Sequence, residues 1–356
     1  MSPISRREFV TLAAGAAAFE PRFARAPAAV TAQAIVDRIK QQVGVDWSSD
    51  DVDTFKAGDP STIVTGVVTT SMATLEVLQK AVQAGANFVI TAAPTFYSRA
   101  DLSTPGGRGA GPGGGAGRGQ APGRGANPAP PPASVSGPGT GASAPMPPSP
   151  AMPPAVVPPP QPVAGVVPAT PPPPDPVYAG KNAFIAKHNL VVFRLAHHWN
   201  RRTPDPRAVG LAAALNWTRY RVSDDALKYE VPPLTFDALA SQLKKSLGTR
   251  GSIRAVGDRA MTVRRIGLLP GYTMIPAAIA MLPSVDVIVA GEVQEWESST
   301  YAQDVAFAGL KKGFLSIGRV VNEAPGMQVC AEWLKTIVSE VPVRFVSAGD
   351  PYWRPL

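Results

Sequence analysis

The sequence predicts an α/β protein of two βα-rich lobes, with parallel or mixed sheets flanked by helices, interrupted by a long disordered insert. Three observations carry this. Short apolar runs of strand length alternate with stretches whose apolar residues recur about every 3.6 positions, the mark of βαβ units. Glycines and capping residues punctuate the boundaries. Between Pro105 and Pro176 the alternation stops, and that tract holds 24 of the 40 prolines and 15 of the 33 glycines.

The elements follow in order. Thr31 caps a helix with Ala32, Ile35, Val36, Ile39 and Val43 on one face, closed by Gly44. Residues 63–69 read as a buried strand. Ser71 then caps a helix carrying Leu75, Leu78 and Val82, and Gly85 stops it before a strand at 88–91. Beyond the insert, a helix at 179–187 leads to a strand at 190–195 that runs into His197-His198-Trp199. A helix follows at 208–215, and Thr235 caps another with Phe236, Leu239, Leu243 and Leu247 inward. Strands at 252–256 and 263–268 precede a turn, Leu269-Pro270-Gly271-Tyr272, too lean in glycine to be a phosphate loop. A helix at 274–282, a strand at 285–290, a helix at 297–308 and a strand at 314–317 come next. Pro325 is placed at the start of the last helix, which turns Val329, Cys330, Trp333, Leu334 and Ile337 to one side. A strand at 343–346 closes the sheet.

The tract 103–176 has almost no large apolar side chains, so it cannot offset its ordering entropy and reads as a partly polyproline linker. At the other end, Ser5-Arg6-Arg7-Glu8-Phe9-Val10 precedes a weakly apolar run that ends at Phe19. Paired arginines before a short apolar stretch are the pattern of a twin-arginine signal, and Ala26-Pro27-Ala28 supplies a cleavage site. The run is shorter than the ~20 residues a stable membrane anchor requires. The organisation is thus a signal peptide at 1–28, a folded domain from 29–102 and 177–356, and the insert. Export by this route places the folded protein in the periplasm or outside the cell.

Of the formal charge of +8, the leader carries +2 and the insert before Asp175 carries +3, leaving +3 for the folded part with Asp175 counted in it. That is too little for a nucleic-acid surface. Cys330 is the single cysteine, which excludes an internal disulfide, and its place on an apolar helix face reads as a small buried hydrophobe. Trp199, Trp296 and Trp333 read as core or pocket walls, and His188 as a surface residue in a turn.

Chemistry in open α/β sheets collects at the carboxyl ends of strands. Four such ends carry polar residues: Thr91-Ala92-Ala93-Pro94-Thr95-Phe96-Tyr97; His197-His198-Trp199-Asn200; Gly291-Glu292-Val293-Gln294-Glu295; and Gly318-Arg319 through Glu323. Together with 84–91 and 210–215, they resemble the Nif-three-like family of dinuclear-metal-centre hexameric proteins, some of which carry the label GTP cyclohydrolase I type two. The resemblance covers nearly all of the chain outside leader and insert. It is strongest to an exported branch whose first motif reads T-H-E-P-T-F-Y and whose last reads I-G-H-x-x-x-E.

That family holds two metals by histidines after the second strand, an Asp or His after the middle strand, and the His and Glu of the last motif. By this resemblance Ala92 and Ala93 stand where His, or His and Glu, are expected, Asn200 where Asp or His is, and Arg319 where His is. Glu323 alone is kept. Alanine donates nothing, arginine stays protonated, and a neutral amide is a poor ligand. Adjacent residues of a strand face opposite ways, so only one of His197 and His198 is expected in the pocket.

The resemblance therefore implies a homo-oligomeric, hexameric pseudoenzyme: a non-catalytic binding or assembly protein with no cofactor and an unknown ligand. Arg319 and Arg99 are the candidates to replace the lost metal charge. The rival expectation is a metal-dependent hydrolase that holds Zn, Mn or Fe with His197 or His198, Glu292, Glu295 and Glu323.

Overall fold

The computed structural model describes residues 29–49, 51–98, 101 and 175–355. The export signal, Arg99 and all but the end of the insert lie outside the described residues. The first lobe contains α1 (Ala32–Gln42), β1 (Phe55–Ala57), β2 (Val67–Thr70), α2 (Leu75–Gln83), β3 (Phe88–Thr91), α3 (Pro176–Lys187) and β4 (Val191–Arg194). A helical turn, α4 (His197–Asn200), and α5 (Pro206–Ala214) lead to the second lobe. There follow β5 (Lys228–Thr235), α6 (Phe236–Leu247), β6 (Arg254–Val256), β7 (Thr262–Tyr272), α7 (Ile275–Met281), β8 (Val287–Glu292), α8 (Thr300–Phe307) and β9 (Gly313–Ser316). The chain returns through α9 (Arg319–Leu334) to β10 (Val343–Phe345) in the first lobe.

Each lobe has a five-stranded mixed sheet, ordered β1-β4-β3-β2-β10 in one and β5-β7-β8-β9-β6 in the other. The inner strands are parallel; β1, β5 and β6 are antiparallel to their neighbours. Every residue of β2, β3 and β4 is buried, because helices cover both faces, and that is why these strands read as unbroken apolar runs. Ile35 and Ile39 of α1 and Leu334 of α9 pack on one face of the first sheet, Leu78 of α2 and Ile185 of α3 on the other. In the second lobe Leu211, Leu239 and Leu243 cover one face, Met281 and Ala302 the opposite one.

Several local expectations are corrected. Thr74, not Ser71, caps α2, its hydroxyl accepting from Val77 N at 3.2 Å, because the chain clears the sheet end before it turns helical. Asp175 caps α3 with Pro176 in the first turn, so this helix starts earlier than its apolar pattern does. Pro325 lies inside α9 and does not start it. Gly318, at φ 83°, reverses the chain directly after β9, so the helix begins at Arg319. The 269–272 segment is not a turn but the end of β7, where the register with β8 slips and Pro270 owes no ladder bond. β5 escaped the sequence reading because Pro232-Pro233 sits in it, which an edge strand tolerates. Trp199 is buried against Trp333 as expected, whereas Trp296 is 75% exposed.

Candidate functional site

A cavity of about 580 Å³ opens where the carboxyl ends of the two sheets meet, lined by Ser71, Met72 and Ala93 from the first lobe and Glu292, Arg319 and Glu323 from the second. The strand registers place these residues. Thr70 of β2 pairs with Thr91 of β3, so the residues after them emerge side by side, and Ala93 N donates to Ser71 O at 2.9 Å. In the second sheet Ala290 pairs with Ser316, and Gly318 N donates to Gly291 O at 3.1 Å. Gly318 must lack a side chain: a Cβ there would lie 2.8 Å from Ser252 Cβ, at a φ that L-residues rarely adopt. One helical turn later, Arg319 and Glu323 fall on the same face of α9.

Glu323 is 2% exposed. Arg319 Nε donates to its Oε1 at 3.2 Å, and Arg207 Nη1 stands 3.8 Å from the same oxygen. Arg207 is itself held by Asp205 through two bonds of 3.1 and 2.7 Å. Buried Arg194, at the end of β4, feels Asp101, Asp53, Arg319 and Glu323, and desolvation pulls its pKa down. Neither its Nε nor its Nη1 has a hydrogen-bond partner among the described residues.

The histidines sit on the helical turn α4, not on a strand, so the argument from opposite strand faces does not apply. The Asp53 carboxylate holds this turn. Its Oδ1 accepts from Ala196 N and His197 N, and its Oδ2 from His198 N and His198 Nδ1 at 2.9 and 2.8 Å. His198 Nε2 accepts from Ser48 N at 2.9 Å, and the Trp47 ring stacks on the imidazole with centroids 3.8 Å apart. Both ring nitrogens are therefore engaged, which assigns the proton to Nδ1. His197 is exposed, with Nδ1 2.7 Å from Asp51 Oδ1. Donor atoms of Asp51, Asp53 and His198 all lie within 4.8 Å of one another, yet those of Asp53 and His198 already have protein partners. Sequence reading missed both aspartates; the Asp51-Val52-Asp53 spacing was the available signal.

The remaining candidates are dispersed. Glu292 is exposed on the cavity lining, and Glu295 is exposed in an ion pair with Arg254. Ala92 and Ala93 are buried. The amide oxygen of half-buried Asn200 has no hydrogen-bond partner among the described residues. Cys330 is fully buried, and desolvation raises its thiol pKa, as suits a core residue. His188 ends α3, half-buried against Phe184.

The C-terminal segment is a further part that sequence reading did not anticipate. Asp350 accepts from the backbone N–H groups of Arg250, Gly251 and Ser252 at 2.6, 3.0 and 3.1 Å. Burial works against its charge, but these donors and Tyr352 N outweigh it and bring its pKa down to about 2. Pro351 and Tyr352 thereby reach the cavity lining.

No sequence profile of a known family matches the chain, and neither does any curated protein. Solved structures do. Staphylococcus aureus protein SA1388 matches with a TM-score of 0.57 and 13% identity over 92% of this chain and 99% of that one. A Bacillus cereus protein related to NIF3 gives 0.56 and 12% over 92% and 99%. TTHA1606 from Thermus thermophilus gives 0.50 and 12% over 91% and 100%. With two mixed five-stranded sheets meeting at one cavity, the chain has the Nif-three-like fold.

Proposed function

We propose that this chain is a Nif-three-like binding or assembly protein whose dinuclear metal site has been lost. The observation that carries the reading is Arg319, whose guanidinium donates to Glu323 where the related motif has a histidine. The donor set does not fit a metal pair. A transition-metal ion asks for about three or four donors of matched geometry. Ala92 and Ala93 have none, Asn200 brings a neutral amide, and the retained carboxylate is already paired with two arginines. His198, the buried one of the two imidazole candidates, spends both nitrogens on Asp53 and Ser48.

Elemental analysis of the purified native protein tests this. The expected result is sub-stoichiometric Zn, Mn and Fe, with no gain in melting temperature on adding Zn²⁺ or Mn²⁺. Near two ions per chain would overturn the reading in favour of a metal-dependent hydrolase, like the GTP cyclohydrolase-labelled members, using His197 or His198, Glu292, Glu295 and Glu323. The same reading takes the protein as a homo-oligomer, hexameric by resemblance, which sedimentation checks.

Export belongs to the proposal as well, on the strength of Arg6-Arg7 and the apolar run behind them. Replacing both arginines by lysine should leave uncleaved precursor in the cytoplasm; normal maturation of that variant would refute the export signal.

A further inference from the structure

Three features of the cavity suit an anion, two of them positive and one a neutral hydroxyl that can donate. The first is the start of α9, a helix of 16 residues whose N-cap, Gly318, makes no side-chain cap. The N–H groups of Arg319, Val320 and Val321 find no acceptor among the described residues, and all three residues line the cavity. First-turn N–H groups left free carry the positive end of the helix dipole, which favours an anion.

The second feature comes from the other lobe. Ser71 lines the same cavity at 1% exposure, and its hydroxyl has no hydrogen-bond partner among the described residues. A buried hydroxyl of this kind is ordinarily satisfied, so it points to a ligand atom. The third is the Arg319 guanidinium. It spends Nε on Glu323, and its two terminal amino groups make no hydrogen bond to a described residue. Arg207 shares the charge of Glu323, so Arg319 is not fully neutralised by it. Of the other carboxylates, Glu292 is exposed, and Glu295 is paired with Arg254. Met72, Val293 and Tyr352 supply apolar surface.

We propose that the cavity binds a small organic anion, a phosphate or carboxylate group carried on an apolar body. The anionic end is held by the Arg319–Val321 N–H groups, the Arg319 guanidinium and the Ser71 hydroxyl; the body rests on Met72, Val293 and Tyr352. This rests on the metal-free reading of the same pocket, since a dication beside these groups would be repelled.

Calorimetric titration of the mature full-length protein tests it, with phenyl phosphate, benzoate, inorganic phosphate and benzylamine as probes, each with and without EDTA. One organic anion should bind at one per chain regardless of EDTA, while benzylamine should not bind. Tighter binding of phenyl phosphate identifies a phosphate site, and tighter binding of benzoate a carboxylate site. Arg319→Gln should weaken binding about tenfold or more, and Ser71→Ala about fivefold, as the loss of a charged and of a neutral donor. Ser71→Ala removes a group with no protein partner, so it keeps the test readable if Arg319→Gln folds poorly.

Metal-free protein that binds neither organic anion would overturn this inference and leave the metal-free reading standing. So would binding insensitive to both substitutions, or inorganic phosphate binding as tightly as phenyl phosphate, which would remove the apolar body. Stoichiometric metal, with anion binding abolished by EDTA, would overturn the metal-free reading together with it.

Discussion

Glu323 is almost fully buried, and at the residue scale its two arginines decide what it can do. Arg319 is about a third exposed (side chain 35%), so solvent screens part of its pairing with the carboxylate, and Arg207 remains 3.8 Å away when Arg319 is removed. Arg319→Ala should therefore cost about 1–2 kcal/mol, between an exposed pair at under ~1 and a fully buried pair broken on one side at ~3–5. Urea unfolding measures this, and a double-mutant cycle with Glu323→Gln isolates the coupling; a loss under ~0.5 kcal/mol would place Arg319 in solvent. This pair was legible in the sequence, because residues four apart share a helix face. The Asp53–His198 pair was not, since its members are 145 residues apart.

At the scale of elements, α5 and α9 join the lobes. Leu211 and Leu215 of this join belong to the second-lobe core, whereas Met327, Cys330 and Leu334 of α9 belong to the first. The helices meet at Gly210, where a Cβ would collide with the Pro325 carbonyl and lie 2.8 Å from Gly326 N. Alanine normally improves a helix over glycine by ~1 kcal/mol. Here Gly210→Ala should instead destabilise by about 1–3 kcal/mol, because two backbones cannot separate without disturbing both cores. A neutral or raised melting temperature would show that the helices have slack. The sequence pattern revealed α5 and the apolar face of α9 but misplaced the start of α9, since proline is the usual helix opener and the Gly318 reversal is set by the strand before it.

For the whole molecule, the composition of 103–176 predicts a segment that adds nothing to the core. Deleting residues 106–172 and joining the ends with a short flexible link should leave the unfolding midpoint unchanged or slightly raised, as each halving of a loop lowers its closure cost by ~0.6 kcal/mol. Loss of cooperative folding in that variant would mean the tract is structural. The described cores fit this expectation: each sheet is covered on both faces by helices from residues 29–98 and 175–355. Among the described residues no helix is long and apolar enough to cross a membrane.

By itself the sequence determined the alternation of strands and helices, the division by the insert, and the presence of alanine, asparagine and arginine at three of the four strand ends. Those features rest on neighbours a few positions apart: a strand buried on both faces must be an apolar run, and a helix must repeat its apolar residues at its own pitch. The tertiary structure alone decided that Asp53 and Ser48 consume His198, that Arg207 reaches Glu323, that the Ser71 hydroxyl caps no helix and finds no partner among the described residues, and that Asp350 fastens the C-terminal segment beside the cavity. These pairings join residues far apart in sequence, and nothing in the local period of the chain encodes them. They exist because the tertiary fold brings distant segments together, the loop before β1 onto the turn after β4 within the first lobe, and the carboxyl ends of the two sheets at the cavity.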